Sequence, residues 1–218
     1  MTEGNGSIPK DTGKKTMPAP IRAVFFDIGN VLLRFSSRDV LKTIAWEVRG
    51  RPVTLAKYLW NSDIGARIER GEIGGERLYQ MFQKELGYKG TPAQFRLLWC
   101  DHFTLDRGSN ALLKRTTKNV PTYLLSNTNA LHIDFIRERY EFPSVVRGAI
   151  LSHEIGVRKP DPAIYRAALK LSGTKPEETV FVDDLKPNVE AAKKLGMIAI
   201  LFKNADDLRR RFEALGVV

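Results

Sequence analysis

A single cysteine, Cys100, stands in the whole chain of 218 residues. An intramolecular disulfide is therefore excluded, and the usage fits a reducing compartment. No apolar run approaches the roughly 18 to 20 residues that cross a bilayer as a helix. Residues 1–20, MTEGNGSIPKDTGKKTMPAP, lack the apolar middle that a secretory signal requires. They read as a disordered leader, with Met17 as an alternative start, and the chain reads as cytoplasmic. Long basic blocks are missing too: the longest is Arg209-Arg210-Arg211, inside an amphipathic helical pattern. The formal charge of +10, from 35 Lys and Arg against 25 Asp and Glu, therefore favours anionic ligands such as phosphorylated metabolites without arguing for nucleic acid. The basic residues Arg49, Arg51, Lys57, Arg67, Arg70 and Arg77 read as a solvated helical face.

Hydrophobic residues make up 43% of the chain, enough for a core. Ala23-Val24-Phe25-Phe26 is a short continuous apolar run of the kind that forms a strand buried on both faces. Similar runs recur at Pro121 to Leu125, Ala149 to Leu151, Thr179 to Val182 and Met197 to Phe202. Helical patterns with recognisable ends lie between them. Asp161 caps a helix with Pro162 in its first position and Gly173 past its end; Gly196 ends another that begins near Pro187, and Asn204 starts the last. This alternation predicts an α/β fold with a parallel sheet, whose ligands bind beyond the carboxyl ends of the strands.

Residues 37–103 break the rhythm. Val40, Leu41, Ile44 and Val48 follow helical spacing, as do Leu78, Met81, Phe82 and Leu86, and Thr91-Pro92 with Gln94 makes a capping-box start. The stretch holds all three tryptophans and reads as a helical insert with its own small core, between an α/β core formed by residues 21–36 and 104–218. Trp60 and Tyr79 are expected inside that small core, and Cys100 is expected to be buried packing.

Four polar clusters fall at or just beyond strand ends: Asp27, Ser126-Asn127, Lys159 and Asp183-Asp184. Together they converge on one rim of the sheet. Three carboxylates there repel one another unless a cation or Lys159 neutralises them. Oxygen ligands suit a hard divalent ion, most simply Mg²⁺.

The order DIGNVL, SNTNALH, GVRKPDPAIY and FVDD with Asn188 resembles the four motifs of the haloacid dehalogenase-like hydrolases, over about residues 21–203. The insert after the first motif is similar to the helical-cap branch. Within it the motifs resemble phosphatases of α-D-glucose 1-phosphate and the phosphatase domain of soluble epoxide hydrolases. The resemblance implies a Rossmann-like core and a small phosphorylated substrate; no nucleic-acid or membrane partner is expected, and the chain is expected as a monomer or homodimer. It implies Asp27 as the nucleophile that forms an aspartyl-phosphate. It further implies Mg²⁺ held by Asp27, the Gly29 carbonyl and Asp184, with Asp183 direct or through water. Ser126 and amides near Asn127 would hold phosphate oxygens, and Lys159 would offset negative charge.

One position departs from the family. Many of its phosphatases carry a second aspartate two residues after the nucleophile, to protonate the leaving oxygen; here that residue is Gly29. Either the leaving group needs little protonation, as with an anomeric sugar phosphate, or another acid serves, among Glu69, Glu72, His102 and His153. His102 is expected beside Trp99. A haloacid dehalogenase and a non-catalytic phosphosugar-binding protein are the alternative functions.

Overall fold

A computed structural model describes residues 19–48, 55, 57–61 and 63–218, with residues 60 and 61 described by backbone alone. Most of the expected leader, Arg49, Arg51 and the side chain of Trp60 lie outside the described residues.

Five parallel strands form the main sheet: β1 (Ala23–Phe26), β4 (Thr122–Ser126), β5 (Gly148–Leu151), β6 (Thr179–Asp183) and β7 (Ile198–Leu201), in the order β5-β4-β1-β6-β7. The apolar runs form these strands because both sheet faces are covered. In β1, Val24 and Phe26 enter one apolar cluster while Ala23 and Phe25 enter the other, as side-chain alternation requires. Burying each of the two phenylalanines contributes about 1.5–3 kcal/mol. Phe26 pairs with Leu124 on one side and Val182 on the other, so the ends of β1, β4 and β6 lie together. The chain first winds outward through β4 and β5 and then returns to the far side of β1. That reversal opens a crevice between β1 and β6, the place where α/β sheets bind ligands.

The helix ends follow local chemistry. Asp161 accepts from the Ala163 amide at 2.8 Å, and Gly173 ends that helix in the left-handed region at φ 66°. Thr91 and Gln94 exchange the two bonds of the capping box. None of the helices among the described residues is long and apolar enough to cross a membrane.

Two short strands, β2 (Leu33–Arg34) and β3 (Thr104–Leu105), pair antiparallel, Leu33 with Leu105 and Arg34 with Thr104. The chain therefore leaves for the insert and returns from it along one ribbon. Arg34 fixes its base: Nη2 and Nε lie 2.6 and 2.7 Å from Asp106 Oδ2, while Asp106 Oδ1 caps the next helix through the Ser109 amide at 2.9 Å. The insert carries helices Ser37–Glu47, Ile64–Glu69, Gly75–Leu86 and Pro92–Cys100. They share an apolar cluster separate from the two sheet clusters, in which Phe82 meets Phe95 and Trp99 edge-on at 5.0 and 5.7 Å. Tyr79 and Cys100 belong there as expected; burial pushes the Cys100 thiol up to about 12. Trp46 is 84% exposed and stands outside the cluster. The cluster includes Phe135 of the helix Ala130–Arg139, which seats the insert on the sheet side.

Candidate active site

Asp27 follows β1, whose last residue lies opposite Val182, so its carboxylate projects at the β1/β6 crevice. Its Oδ1 accepts from the Ile28 amide at 2.8 Å and lies 2.9 Å from Lys159 Nζ. Lys159 is fully enclosed. Its Nζ also donates to Asp183 Oδ2 at 2.6 Å and to the Leu125 carbonyl at 3.0 Å, which satisfies all three of its protons. Burial opposes the ammonium charge, but Asp27 and Asp183 outweigh it and hold the group protonated beyond the usual lysine range.

Asn127 places that lysine. Its amide oxygen accepts from the Lys159 amide at 2.7 Å, and its amide nitrogen donates to the Lys159 carbonyl at 3.0 Å. The Asn127 side chain is thus committed to backbone. Ser126, at the end of β4, keeps its hydroxyl in one long contact of 3.4 Å to the Asn127 carbonyl.

Asp183 ends β6 and is also enclosed. Its Oδ1 accepts from the Leu185 amide at 2.8 Å and from Asn188 at 2.9 Å; its Oδ2 takes Lys159 and a longer bond of 3.1 Å from Asn188. Asp184 is half-buried and lines the crevice. Ligand oxygens of Asp27, Asp183 and Asp184 lie within 4.8 Å of one another. Burial pushes the Asp27 carboxyl up to about 7; Lys159 pulls it down, and Asp183 and Asp184 push it further up. Burial and then the Asp183 charge raise Asp184, while Lys159 and a bond with Asn30 hold it down. One ammonium does not balance three carboxylates in a low-dielectric crevice, and a fixed dication would.

Gly29 occupies the position, two residues after Asp27, at which a second aspartate would stand. Its neighbours close a tight link, Leu33 N to Ile28 O at 2.9 Å and Asn30 N to Leu33 O at 2.6 Å, neither of which uses the Gly29 carbonyl. A Cβ at Gly29 would lie 3.1 Å from Phe35 Cε1.

Above these residues lies a cavity of about 470 Å³ between sheet and insert. Asp27, Gly29, Ser126, Asn127, Lys159 and Asp184 line its floor. Of the substitute acids, Glu69 and His102 line it; Glu72 and His153 are not among its lining residues. Glu69 is paired at 2.6 Å with Arg158, across the gap between insert and sheet. Arg158 went unremarked in the sequence, although it stands directly before Lys159. Glu72 pairs with Arg67 and Arg70. The expected place of His102 needs correction. Its ring packs on Phe103 at 4.4 Å and near Phe35 at 6.2 Å, and the histidine that stacks on Trp99, at 5.7 Å, is His132. Burial pushes His102 down to about 4 and His132 down to about 3, so both are neutral at pH 7.

Crevice, insert and carboxylate cluster together define a class. The profile of the family described as haloacid dehalogenase-like hydrolase matches residues 21–196, and the chain belongs to that family. Among curated relatives, drimenol cyclase drtB of Aspergillus calidoustus is 26% identical over 88% of this chain, which spans only 36% of that protein. Sesquiterpene phosphatase astK of Aspergillus oryzae is 28% identical over 84% of this chain and 91% of its own length. D-ribitol-5-phosphate phosphatase of Bacteroides thetaiotaomicron is 26% identical over 89% and 98%. Among solved structures, a HAD family enzyme of Bacteroides thetaiotaomicron superposes with TM-score 0.80 at 22% identity, covering 89% of this chain and 99% of that one. The same enzyme in complex with magnesium and inorganic phosphate superposes with TM-score 0.78. At that identity the superposition establishes a shared fold.

Proposed function

We propose that this hydrolase is a magnesium-dependent phosphatase that moves the phosphoryl group of a small phosphorylated molecule to Asp27 and then to water. The observation that carries the reading is the cluster of Asp27, Asp183 and Asp184 around one buried lysine, facing a cavity of about 470 Å³. Two relatives named as phosphatases and a fold neighbour holding magnesium and phosphate support it. Asp27, Asp184 and the Gly29 carbonyl would hold the ion. Asp183, whose oxygens already serve Lys159, Asn188 and the Leu185 amide, would reach it through water. Held by those residues, a magnesium ion would shield the attacking carboxylate from phosphate and orient the transferring group.

The protein's own groups divide the rest. Asp27 attacks phosphorus, the bond to the leaving oxygen breaks, and water later cleaves the aspartyl-phosphate. Lys159, rigid on three acceptors, offsets charge on Asp27 and on the phosphoryl oxygens. The Ser126 hydroxyl and backbone amides near Asn127 hold phosphate oxygens. Residues 37–103 serve as the cap over a core of residues 21–36 and 104–218. Because Gly29 offers no proton, the leaving oxygen should be weakly basic. An anomeric hexose phosphate meets that condition, as does a phosphoanhydride.

The test is phosphate release from p-nitrophenyl phosphate with Mg²⁺ and with EDTA, for the parent and for Asp27→Asn. Release that needs Mg²⁺ and disappears in Asp27→Asn is expected. Release indifferent to both overturns the reading; chloride release from a haloacid that survives EDTA points to a dehalogenase, and phosphosugar binding without turnover to a sensor.

A further inference from the structure

The cavity decides what the rest of the substrate can be, given that phosphatase reading. We infer that it takes the apolar part of a phosphorylated alcohol of roughly ten carbons, rather than a sugar. Its cap side is built from Val40, Ile44, Leu59, Ile68, Trp99 and Phe103, most of them members of the insert's apolar cluster. Among the described residues, the polar groups on that side are Ser37, Glu69, His102 and the indole N–H of Trp99, which is buried without a partner. Glu69 is already committed to Arg158 at 2.6 Å, and His102, between Phe35 and Phe103, has its Nδ1 buried without a partner. A hexose would bring four hydroxyls against a cap wall that is mostly hydrocarbon and offers few free polar groups, whereas hydrocarbon loses nothing by leaving water there. Size agrees. At about 30 Å³ per water-sized group, the cavity admits about fifteen such groups, of which a phosphoryl group and its ester oxygen take about five.

The leaving-group condition at Gly29 and the apolar lining act on different parts of the substrate. An anomeric hexose phosphate satisfies the first and not the second. A diphosphate of an apolar alcohol satisfies both, because Asp27 attacks the terminal phosphorus, the anhydride bond breaks, and the alkyl monophosphate departs with the electron pair and needs no proton. A monophosphate of the same alcohol satisfies the lining alone.

Geranyl phosphate and geranyl diphosphate, compared with glucose 1-phosphate and ribitol 5-phosphate on the full chain with Mg²⁺, test the inference. The better geranyl compound should exceed both sugars at least tenfold in kcat/KM; equal or reversed order overturns it. In Val40→Ser and Leu41→Ser, both half-buried in the parent, the ratio of geranyl to p-nitrophenyl phosphate kcat/KM should fall at least fivefold, and an unchanged ratio also overturns it. Calorimetry on Asp27→Asn separates this inference from the reading beneath it. If p-nitrophenyl phosphate is not turned over at all, the phosphatase reading fails. Geranyl compounds binding at least tenfold tighter than glucose 1-phosphate still sustain the apolar cavity, and the opposite order refutes it.

Discussion

The ring of Phe35 stands against the backbone of Gly29, so close that a Cβ on the glycine would lie 3.1 Å from Cε1. The missing acid is thus a matter of space as well as of residue type: the aromatic ring borders the volume that an aspartate side chain would enter. Gly29 is not in the left-handed region; close approach, not backbone angle, favours glycine here.

Gly29→Asp alone should therefore destabilise the fold by about 1–3 kcal/mol through overpacking, measured by urea unfolding. Combining it with Phe35→Ala should recover part of that loss. It should also raise kcat on primary alkyl phosphates at least tenfold, since a placed general acid contributes about 10²–10⁴. A double variant no faster than the parent would show that protonation of the leaving group does not limit the reaction.

Asp184 is half-buried, lines the cavity and, unlike Asp27 and Asp183, makes no ion pair with Lys159, which suits a metal ligand. Asp184→Ala should raise the Mg²⁺ concentration for half-maximal phosphate release by an order of magnitude or more. A titration that overlays the parent would remove Asp184 from the metal site.

Glu69 lies in the cavity wall but is held by Arg158. Glu69→Gln should lower kcat less than tenfold. Loss of a hundredfold or more, the scale of a lost general acid, would return Glu69 to that role. The pair itself is part-exposed, and a double-mutant cycle on stability should find coupling below about 1 kcal/mol.

His132 is half-buried as a neutral ring: its Nε2 faces the Trp99 carbonyl at 3.0 Å and its Nδ1 faces the Asn129 amide nitrogen at 3.1 Å. Those partners assign the proton to Nε2 and leave no acceptor for a second. Its folded value of about 3 lies below the ordinary 6.5, so the unfolded chain binds more protons between them. Its contribution is fully present above pH 6.5 and is lost as pH falls toward 3. Asp27, raised to about 7, acts in the opposite sense over part of that range. The difference between parent and His132→Gln, read as urea midpoints from pH 7.5 to 4.5, isolates the histidine. The parent's advantage should shrink steadily as pH falls; a constant difference would contradict the assignment.

Much of this was legible in the sequence. The apolar runs marked the five sheet strands to within a residue or two, because strands buried on both faces carry continuous hydrophobic signals. The caps at Thr91, Asp161 and Asn204 were readable because they are local bonds between residues two or three apart. The β2–β3 ribbon left no trace, since each strand is two residues long and its partner lies some seventy positions away. Nor could spacing reveal that Asn127 grips the Lys159 backbone or that Arg158 holds Glu69, for those bonds link residues 32 and 89 positions apart.

By itself the sequence determined where the five sheet strands lie along the chain and the residue types at their ends, because periodicity, capping and turn chemistry act over a few residues. Which ends met was decided by tertiary structure: the parallel register of β1 with β6 brings Asp27 beside Asp183 and Asp184. The folded chain also decided the character of the cavity. A side chain's contribution to that wall depends on which neighbours exclude water from it, and those neighbours come from distant parts of the chain.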